Sequence, residues 1–156
     1  MKYLSLAKGL KTGIKVIDDQ HGMFFRQINS FSRHSANEGV SRERAVRLFT
    51  FLQQYSVEHF GLEQALMEEY RYPGLAEHQA EHRKLRAYVD QTLAKLPTRD
   101  LTADFNLQVN YFLVDWFTVH IRQVDRKMTD FLREIAAKQP DHRLLNLIKG
   151  LLPNAK

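Results

Sequence analysis

The chain has 156 residues, 44% hydrophobic and 26% charged, which is enough for one domain with a buried core. It contains no cysteine, so disulfides, iron–sulfur clusters, thiolate zinc sites and cysteine nucleophiles are excluded. The formal net charge is +5, but the basic residues have acidic neighbours, which favours solvated helix faces over a nucleic-acid groove. Neither a signal peptide nor an apolar run of about 18 residues is present. We therefore expect a cytoplasmic protein without a membrane span and without a nucleic-acid partner.

Glycine and proline divide the chain into segments that have helical periodicity. After an irregular arm at residues 1–16, the pattern predicts four long helices at about 18–36, 42–70, 75–96 and 101–138. Ser41, Asp100 and Asp141 are expected to cap the second helix, the fourth helix and a short fifth helix. The predicted apolar stripes include Val46, Phe49 and Leu52 on the second helix, and Trp116 and Val119 on the fourth.

Four long helices with short connections predict an all-α fold, an antiparallel up-down-up-down four-helix bundle. We expect a single domain over residues 1–156, made of the arm at 1–16, the bundle at 17–139 and an amphipathic extension at 140–156. The extension has one apolar face, which comprises Leu144, Leu145, Ile148, Leu151 and Leu152. We expect this face to fold back on the bundle; the alternative is that it docks a partner or a second copy of the chain. A monomer is favoured.

Five of the seven histidines, together with two carboxylates, have the order and spacing of a two-metal site. The seven residues are His21, His59, Glu63, His78, His82, His120 and Asp125. Each predicted long helix carries one or two of them, and residues four apart on a helix share one face. Imidazole and carboxylate ligands suit iron, zinc, copper or manganese. Taken alone, each fragment could be a surface pair or a structural histidine, but the joint pattern predicts two metals that share bridging groups. His34 and His142 are predicted bystanders.

The spacing between His120 and Asp125 predicts a distorted helix. Five residues at 100° each leave the two side chains about 140° apart around a regular α-helix. A π-bulge adds one residue to a turn and brings positions i and i+5 onto one face. We therefore predict an i→i+5 hydrogen bond or a visible distortion between about Val119 and Arg126. The alternative is a straight helix in which the Asp125 side chain reaches around from its flank.

The complete pattern resembles the hemerythrin family, specifically its stand-alone bacterial members, over about residues 13–130. The motifs that carry the resemblance are Gly13-Ile14, Ile17-Asp18-Asp19-Gln20-His21, Glu58-His59-Phe60 with Glu63, Met67-Glu68-Glu69-Tyr70, Tyr72-Pro73, His78 with His82, and Trp116 followed by His120-Ile121 and Asp125. The chain departs from the family at both ends. The arm lacks the tryptophan common in bacterial members and offers only Tyr3, Leu4 and Leu6, and the extension continues beyond the usual domain.

The resemblance implies a non-haem di-iron centre that binds dioxygen reversibly. One iron would take His78, His82 and His120, and the other would take His21 and His59. Two carboxylates, Glu63 and Asp125, would bridge the two irons (Fe²⁺/Fe³⁺) together with an oxo or hydroxo group. This leaves one coordination position open on the two-histidine iron, and dioxygen would bind there.

Several apolar residues lie near the expected site, and some of them should wall the open iron. They are Phe24, Phe25, Phe60, Met67, Trp116, Phe117, Ile121 and Val124. The alternative is that they are only core residues. The leading function is oxygen storage or delivery to an oxygen-using enzyme, without catalysis by the chain itself. The alternatives are an oxygen or redox sensor that signals to a partner through the C-terminal extension, and a weak peroxidase or oxidase.

Overall fold

Six α-helices make up most of the part of the chain that the computed structural model describes, residues 8–139 and 141–151. In chain order they are α1 (Lys15–Glu38), α2 (Arg42–Glu69), α3 (Leu75–Lys95), α4 (Ala103–His120), α5 (Arg126–Lys138) and α6 (His142–Lys149). A 3₁₀ turn at Lys8–Leu10 precedes them, and a π-helical segment at Ile121–Asp125 joins α4 directly to α5. The described residues contain no strand. The predicted all-α class is therefore confirmed.

The continuous α4–π–α5 unit is the fourth long helix of the bundle. Helix α1 packs against both α2 and α4, and α2 packs along α3. These neighbours are those of the predicted antiparallel up-down-up-down four-helix bundle. No helix in the described ranges is long and apolar enough to cross a membrane.

Helix α1 begins three residues before the predicted start at Asp18. The carboxylate of Asp18 accepts hydrogen bonds from the Thr12 backbone N–H at 2.8 Å, the Thr12 hydroxyl at 2.9 Å and the Gly13 N–H at 3.2 Å. Asp18 thus fixes the chain that enters the helix, and Gly13 adopts the positive φ of 86° that this turn requires. The arm residues Tyr3, Leu4 and Leu6 lie outside the described residues.

The predicted helix caps have three different outcomes. Asp141 caps α6 as predicted, accepting from the N–H groups of Arg143 at 2.8 Å and Leu144 at 3.2 Å. Ser41 does precede α2, but its side chain makes no capping hydrogen bond. The prediction for Asp100 was wrong, because α4 begins two residues later and the Thr102 hydroxyl accepts from the Phe105 N–H. Threonine is also a favoured N-cap residue, and here its hydroxyl satisfies a free N–H of the first turn.

Two apolar clusters fill the interior. The larger one comprises Leu10, Phe24, Phe25, Ile28, Phe31, Ala45, Leu48, Phe49, Leu52, Tyr55, Phe60, Leu85, Val89, Leu96, Phe105, Val109, Leu113, Phe117 and Ile121. The smaller one comprises Ile14, Ile17, Leu66, Met67, Met128, Leu132, Ala136, Leu144 and Leu147. Along α1, His21 lies between Ile17 of the smaller cluster and Phe24 of the larger one. The candidate metal ligands therefore form a polar layer between two apolar regions.

Two predicted core valines lie at the surface instead. Val46 is 40% exposed and Val119 is 43% exposed, so their inclusion in the apolar stripes was wrong. On α2 the buried position is the adjacent Ala45, because the inward face passes through residues 45, 48, 49 and 52. A step of one residue turns a side chain by about 100° and moves it off that face.

The C-terminal extension folds back on the bundle, as predicted. Helix α6 packs against α1 and α5, and Leu144 and Leu147 are buried in the smaller cluster. The N-terminal end of α6 also contacts the end of α2, because the hydroxyl of Tyr70, the residue that follows α2, donates a 2.8 Å hydrogen bond to Asp141. Leu151 is exposed, and Leu152 lies outside the described residues.

Candidate metal centre

All seven residues singled out in the sequence converge in the polar layer. Each of them is buried, with at most 4% of its surface exposed. Helix α1 contributes one residue, α2 and α3 contribute two each, and the α4–π–α5 unit contributes two. Their ligating atoms form two groups, and within each group every atom lies within 4.8 Å of the others. The two groups have both carboxylates in common.

The first group contains three histidines. The Nε2 atom of His82 lies 3.0 Å from Oε2 of Glu63, and that of His120 lies 2.9 Å from Oδ1 of Asp125. The third histidine, His78, faces both carboxylates, with its Nε2 atom 3.4 Å from Oε2 of Glu63 and 3.3 Å from Oδ1 of Asp125.

The second group contains two histidines and uses the other oxygen of each carboxylate. The Nε2 atom of His21 lies 3.2 Å from Oδ2 of Asp125. The Nε2 atom of His59 lies 3.5 Å from Oε1 of Glu63. Each carboxylate therefore presents one oxygen to each group, which is the arrangement that two bridged cations require. The second group has one ligand fewer than the first.

These nine ligating atoms have no hydrogen-bond partner, although they lie only 2.9 to 3.5 Å from their neighbours. The five Nε2 atoms and four carboxylate oxygens are fully buried. Buried polar atoms in proteins are almost always paired, and an unpaired one is costly. Convergent donor atoms of the types that suit transition metals, left unpaired in an apolar interior, fit a pair of divalent cations.

The charges in this layer depend on one another. Burial lowers the pKa of His59 to about 3, so this ring is neutral, as a metal ligand must be. Burial alone would raise the pKa of both carboxyl groups. The neighbouring histidines outweigh it, and the pKa values of Glu63 and Asp125 lie below their ordinary range. For His78 burial lowers the pKa, but contacts with Asp125 and Glu63 raise it to about 9, so this ring carries a proton that a bound cation would displace. The two carboxylates therefore remain ionised, as bridging ligands must.

The predicted distortion of the fourth helix is confirmed. Residues Ile121–Asp125 form a π-helical segment between two stretches of regular α-helix. The wider turn places His120 and Asp125 on one face, and their ligating atoms approach to 2.9 Å. A regular α-helix would separate these two side chains by about 140°. The extra residue in this turn is therefore what brings the second carboxylate to the site.

Gln20, which precedes His21 in the sequence motif, supports the site although no role was predicted for it. The side-chain oxygen of Gln20, Oε1, lies 2.7 Å from Nδ1 of His59. When that oxygen accepts, Nδ1 carries the proton and Nε2 is left free to bind a metal. The contact joins residues 39 positions apart, so helix periodicity could not reveal it.

Most of the predicted wall residues lie around the polar layer. Phe117 packs edge-on against His21 with ring centroids 5.3 Å apart, and Phe24 stacks on Phe117 at 3.6 Å. On the three-histidine side, Phe60 stacks on His82 at 3.7 Å, and Trp116 stacks on His120 at 4.5 Å. Phe25 also contacts Phe117, and Ile121 belongs to the larger cluster. Met67 belongs to the smaller cluster, and Val124 lines a surface cavity.

Tyr55, which lies one turn before His59 on α2, was not among the predicted wall residues. Its ring stacks on His59 with centroids 4.8 Å apart and an interplanar angle of 29°. The side chain is buried, and burial raises the pKa of its hydroxyl well above the ordinary value. The charges of Glu63 and Asp125 raise that pKa further. The hydroxyl is therefore protonated.

A cavity of about 660 Å³ opens between α3 and α4 beside the three-histidine group. His78, His120 and Trp116 line it, together with acidic residues such as Glu77 and Asp115. Its size lies in the range of small-molecule sites. No comparable cavity was predicted, because it depends on how far apart two helices lie.

The two predicted bystander histidines lie away from the ligand groups. His34 is near the end of α1, where Nδ1 lies 2.7 Å from the Ser30 carbonyl. His142 is the first residue of α6 and is exposed.

Fold and site together define a class of protein: a four-helix bundle with a buried histidine and carboxylate cluster that could hold metal ions. Comparison with known proteins gives the family. The family described as "Hemerythrin HHE cation binding domain" matches residues 12–132. The chain therefore belongs to the hemerythrin family.

Individual relatives agree with this assignment. A bacteriohemerythrin of Pseudomonas aeruginosa (strain LESB58) is 28% identical over 133 residues, which are 85% of this chain and 84% of the relative. A bacteriohemerythrin of Methylococcus capsulatus (strain Bath) is 30% identical over 115 residues, 74% of this chain and 85% of the relative. Among solved structures, the crystal structure of a hemerythrin point mutant superposes with a TM-score of 0.67 at 28% identity, covering 76% of this chain and 88% of that one.

Proposed function

We propose that this chain binds dioxygen reversibly at a non-haem di-iron centre, for oxygen storage or for delivery to an oxygen-using enzyme. The observation that carries the proposal is the pair of shared carboxylates. Glu63 and Asp125 each turn one oxygen toward a three-histidine group and the other toward a two-histidine group. Such sharing holds two cations side by side. Membership of the hemerythrin family supports the choice of iron.

Two adjacent ferrous ions, when bound, supply the two electrons that reversible dioxygen binding uses. The chain itself supplies charge balance and position. Two carboxylates offset part of the four positive charges, and neutral imidazoles complete the ligand sets without adding charge. This balance makes burial of the cations in an apolar bundle tolerable. The π segment and the i, i+4 pairs on α2 and α3 fix the ligand positions.

The two groups are unequal, and this inequality supports binding in preference to substrate oxidation. The three-histidine group has five ligands and the two-histidine group has four, counting both carboxylates in each. A further small ligand therefore fits at the two-histidine side. The rings of Phe24, Tyr55 and Phe117 surround that side and keep bulk water away. Exclusion of water and protons would preserve the bound oxygen.

The test is metal analysis followed by optical spectroscopy. After anaerobic reconstitution with Fe(II) we expect about two irons per chain, as the two ligand groups require. Admission of air should produce charge-transfer bands of an oxygenated di-iron centre, and removal of oxygen should reverse them. One iron or none per chain would contradict the two-metal assignment. Two irons with an irreversible spectral change would contradict oxygen storage and delivery.

The cavity between α3 and α4 favours a second candidate function, a weak peroxidase or oxidase. It reaches His78 and His120 and would admit a small organic substrate to the three-histidine side. Steady-state turnover of a phenolic peroxidase substrate with hydrogen peroxide distinguishes the two functions. Filling the cavity with Ala80→Trp should abolish turnover if this candidate is correct, and should leave reversible oxygenation unchanged.

A further inference from the structure

The hydroxyl group of Tyr55 is buried and has no partner. Only 4% of the residue is exposed, and its oxygen makes no hydrogen bond with any described residue. A buried hydroxyl without a partner is costly, so such groups in folded proteins usually meet a protein atom, a water molecule or a ligand. A phenylalanine would fill the same space without that cost.

The surroundings of Tyr55 place it at the two-histidine side. Its ring stacks on His59 at 4.8 Å and lies 6.1 Å from the ring of Phe117, which itself contacts His21. The ring of Phe24 lies 5.4 Å away. The tyrosine thus contacts one histidine of this group directly and reaches the other through a single aromatic ring.

Among the described residues, His59 has the only polar ring that contacts Tyr55. The nearest rings on the other sides are those of Phe24, Phe51 and Phe60, with centroids 5.4, 5.8 and 6.5 Å away, and they offer no hydrogen-bonding atom. Through the stack on His59, Tyr55 lies beside the side of the cluster that has one ligand fewer.

We propose that the Tyr55 hydroxyl donates a hydrogen bond to the small ligand that binds at the two-histidine side, and that it selects ligands that carry negative charge on the atom facing it. This inference rests on the proposed function, since it presumes a metal pair at the cluster. Ligands that fit are dioxygen, which gains electron density on binding, and small anions such as azide. Carbon monoxide, which remains nearly neutral, gains less from the same donor.

Azide affinity of the oxidised, iron-loaded protein tests the proposal, with Tyr55→Phe as the variant. This change removes the hydroxyl and keeps the ring against His59. A hydrogen bond to a charged acceptor contributes enough that we expect azide to bind about tenfold more weakly. Tyr88→Phe is the matched control, because Tyr88 stacks on Phe112, away from the cluster, and azide affinity should not change there.

A second measurement does not depend on ligand affinity. The tyrosine ultraviolet resonance Raman doublet reports whether a phenol hydroxyl donates a hydrogen bond. In the wild-type protein, azide should shift the component that disappears in the Tyr55→Phe difference spectrum. The chain has six tyrosines, so this difference isolates one of them. If Tyr55→Phe does not hold iron, iron-loaded wild-type protein is compared with and without azide, because only a tyrosine that donates to the bound azide should change its hydrogen bonding.

The possible outcomes distinguish failure of the Tyr55 role from failure of the di-iron proposal. Suppose that the wild-type protein holds about two irons and binds azide. If Tyr55→Phe then binds azide as tightly and azide causes no Raman shift in the wild type, the role of Tyr55 is overturned and the di-iron proposal stays intact. A Raman shift on iron loading that azide does not alter would also overturn it, because the hydroxyl would then face bound water or a bridging group. Wild-type protein that holds no iron pair would overturn the proposed function itself.

Discussion

The Gln20–His59 contact gives the sharpest test of how the chain supports its metal centre. The Gln20 oxygen lies 2.7 Å from Nδ1 of His59, a ring that is fully buried. Replacing Gln20 with leucine would leave a buried N–H without an acceptor, at a cost of about 1–3 kcal/mol. Loss of such an outer partner typically lowers metal affinity by about 10–100-fold. We expect this loss at the two-histidine group, while the three-histidine group keeps its metal.

Three glutamine variants test whether the Gln20 oxygen supports metal binding through His59. In Gln20→Leu, titration with a competing chelator should release one metal at about 10–100-fold lower chelator concentration than in the wild type. In Gln20→Glu the acceptor is retained with added negative charge, so the affinity should stay the same or rise. In Gln64→Leu, the control, an exposed glutamine on α2 that bonds Glu68 is lost, and both metals should remain.

The pattern of release would show whether this reasoning holds. Simultaneous release of both metals at lower chelator concentration would mean that Gln20 stabilises the whole bundle and not one ligand. Wild-type affinity in Gln20→Leu would mean that the Nδ1 proton finds another acceptor. Either result would refute the role assigned to Gln20.

Three further predictions concern ligand loss, the extension and the helix caps. His78→Ala should lose much of the bound iron and melt at a lower temperature, as measured by metal analysis and calorimetry, whereas a bystander histidine changed to glutamine should do neither. Leu144→Ala should lower the free energy of unfolding by about 2–5 kcal/mol in urea titration, because the side chain is fully buried; the exposed Leu151→Ala should change it by less than about 0.5 kcal/mol. Thr102→Ala should cost about 1 kcal/mol in the same assay. Ser41→Ala, which removes no capping bond, should cost less than about 0.5 kcal/mol.

The ligand set could be predicted because its signals are local. Pairs four residues apart, such as His59 with Glu63 and His78 with His82, share a helix face whatever the rest of the fold does. The π segment was also predictable, since a regular helix places residues 120 and 125 about 140° apart and a widened turn brings them onto one face. Periodicity also gave the number and order of the long helices.

Other features depend on how helices pack, and the sequence did not reveal them. Gln20 contacts His59, which lies 39 positions away in the chain. The stack of Tyr55 on His59 is notable because the Tyr55 hydroxyl is buried without a partner, which only the packed structure shows. The cavity beside His120 reflects the separation of α3 from α4. The cap of α4 was mispredicted because Asp100 and Thr102 are both residue types that cap helices, and α4 begins directly after Thr102.

The placement of the polar layer explains how one bundle can be both stable and able to hold two cations. Ligands on α1 and α2 are bounded by buried apolar residues on both sides, as His21 is by Ile17 and Phe24. Each apolar cluster can therefore hold its end of the bundle together without help from the metals. The layer between them leaves nine ligating atoms unpaired, and cations would satisfy them together. Because both carboxylates serve both groups, loss of either metal would leave Glu63 and Asp125 half-satisfied in an apolar interior. Each carboxylate would then still be held through its other oxygen, so the two groups can lose their cations one at a time.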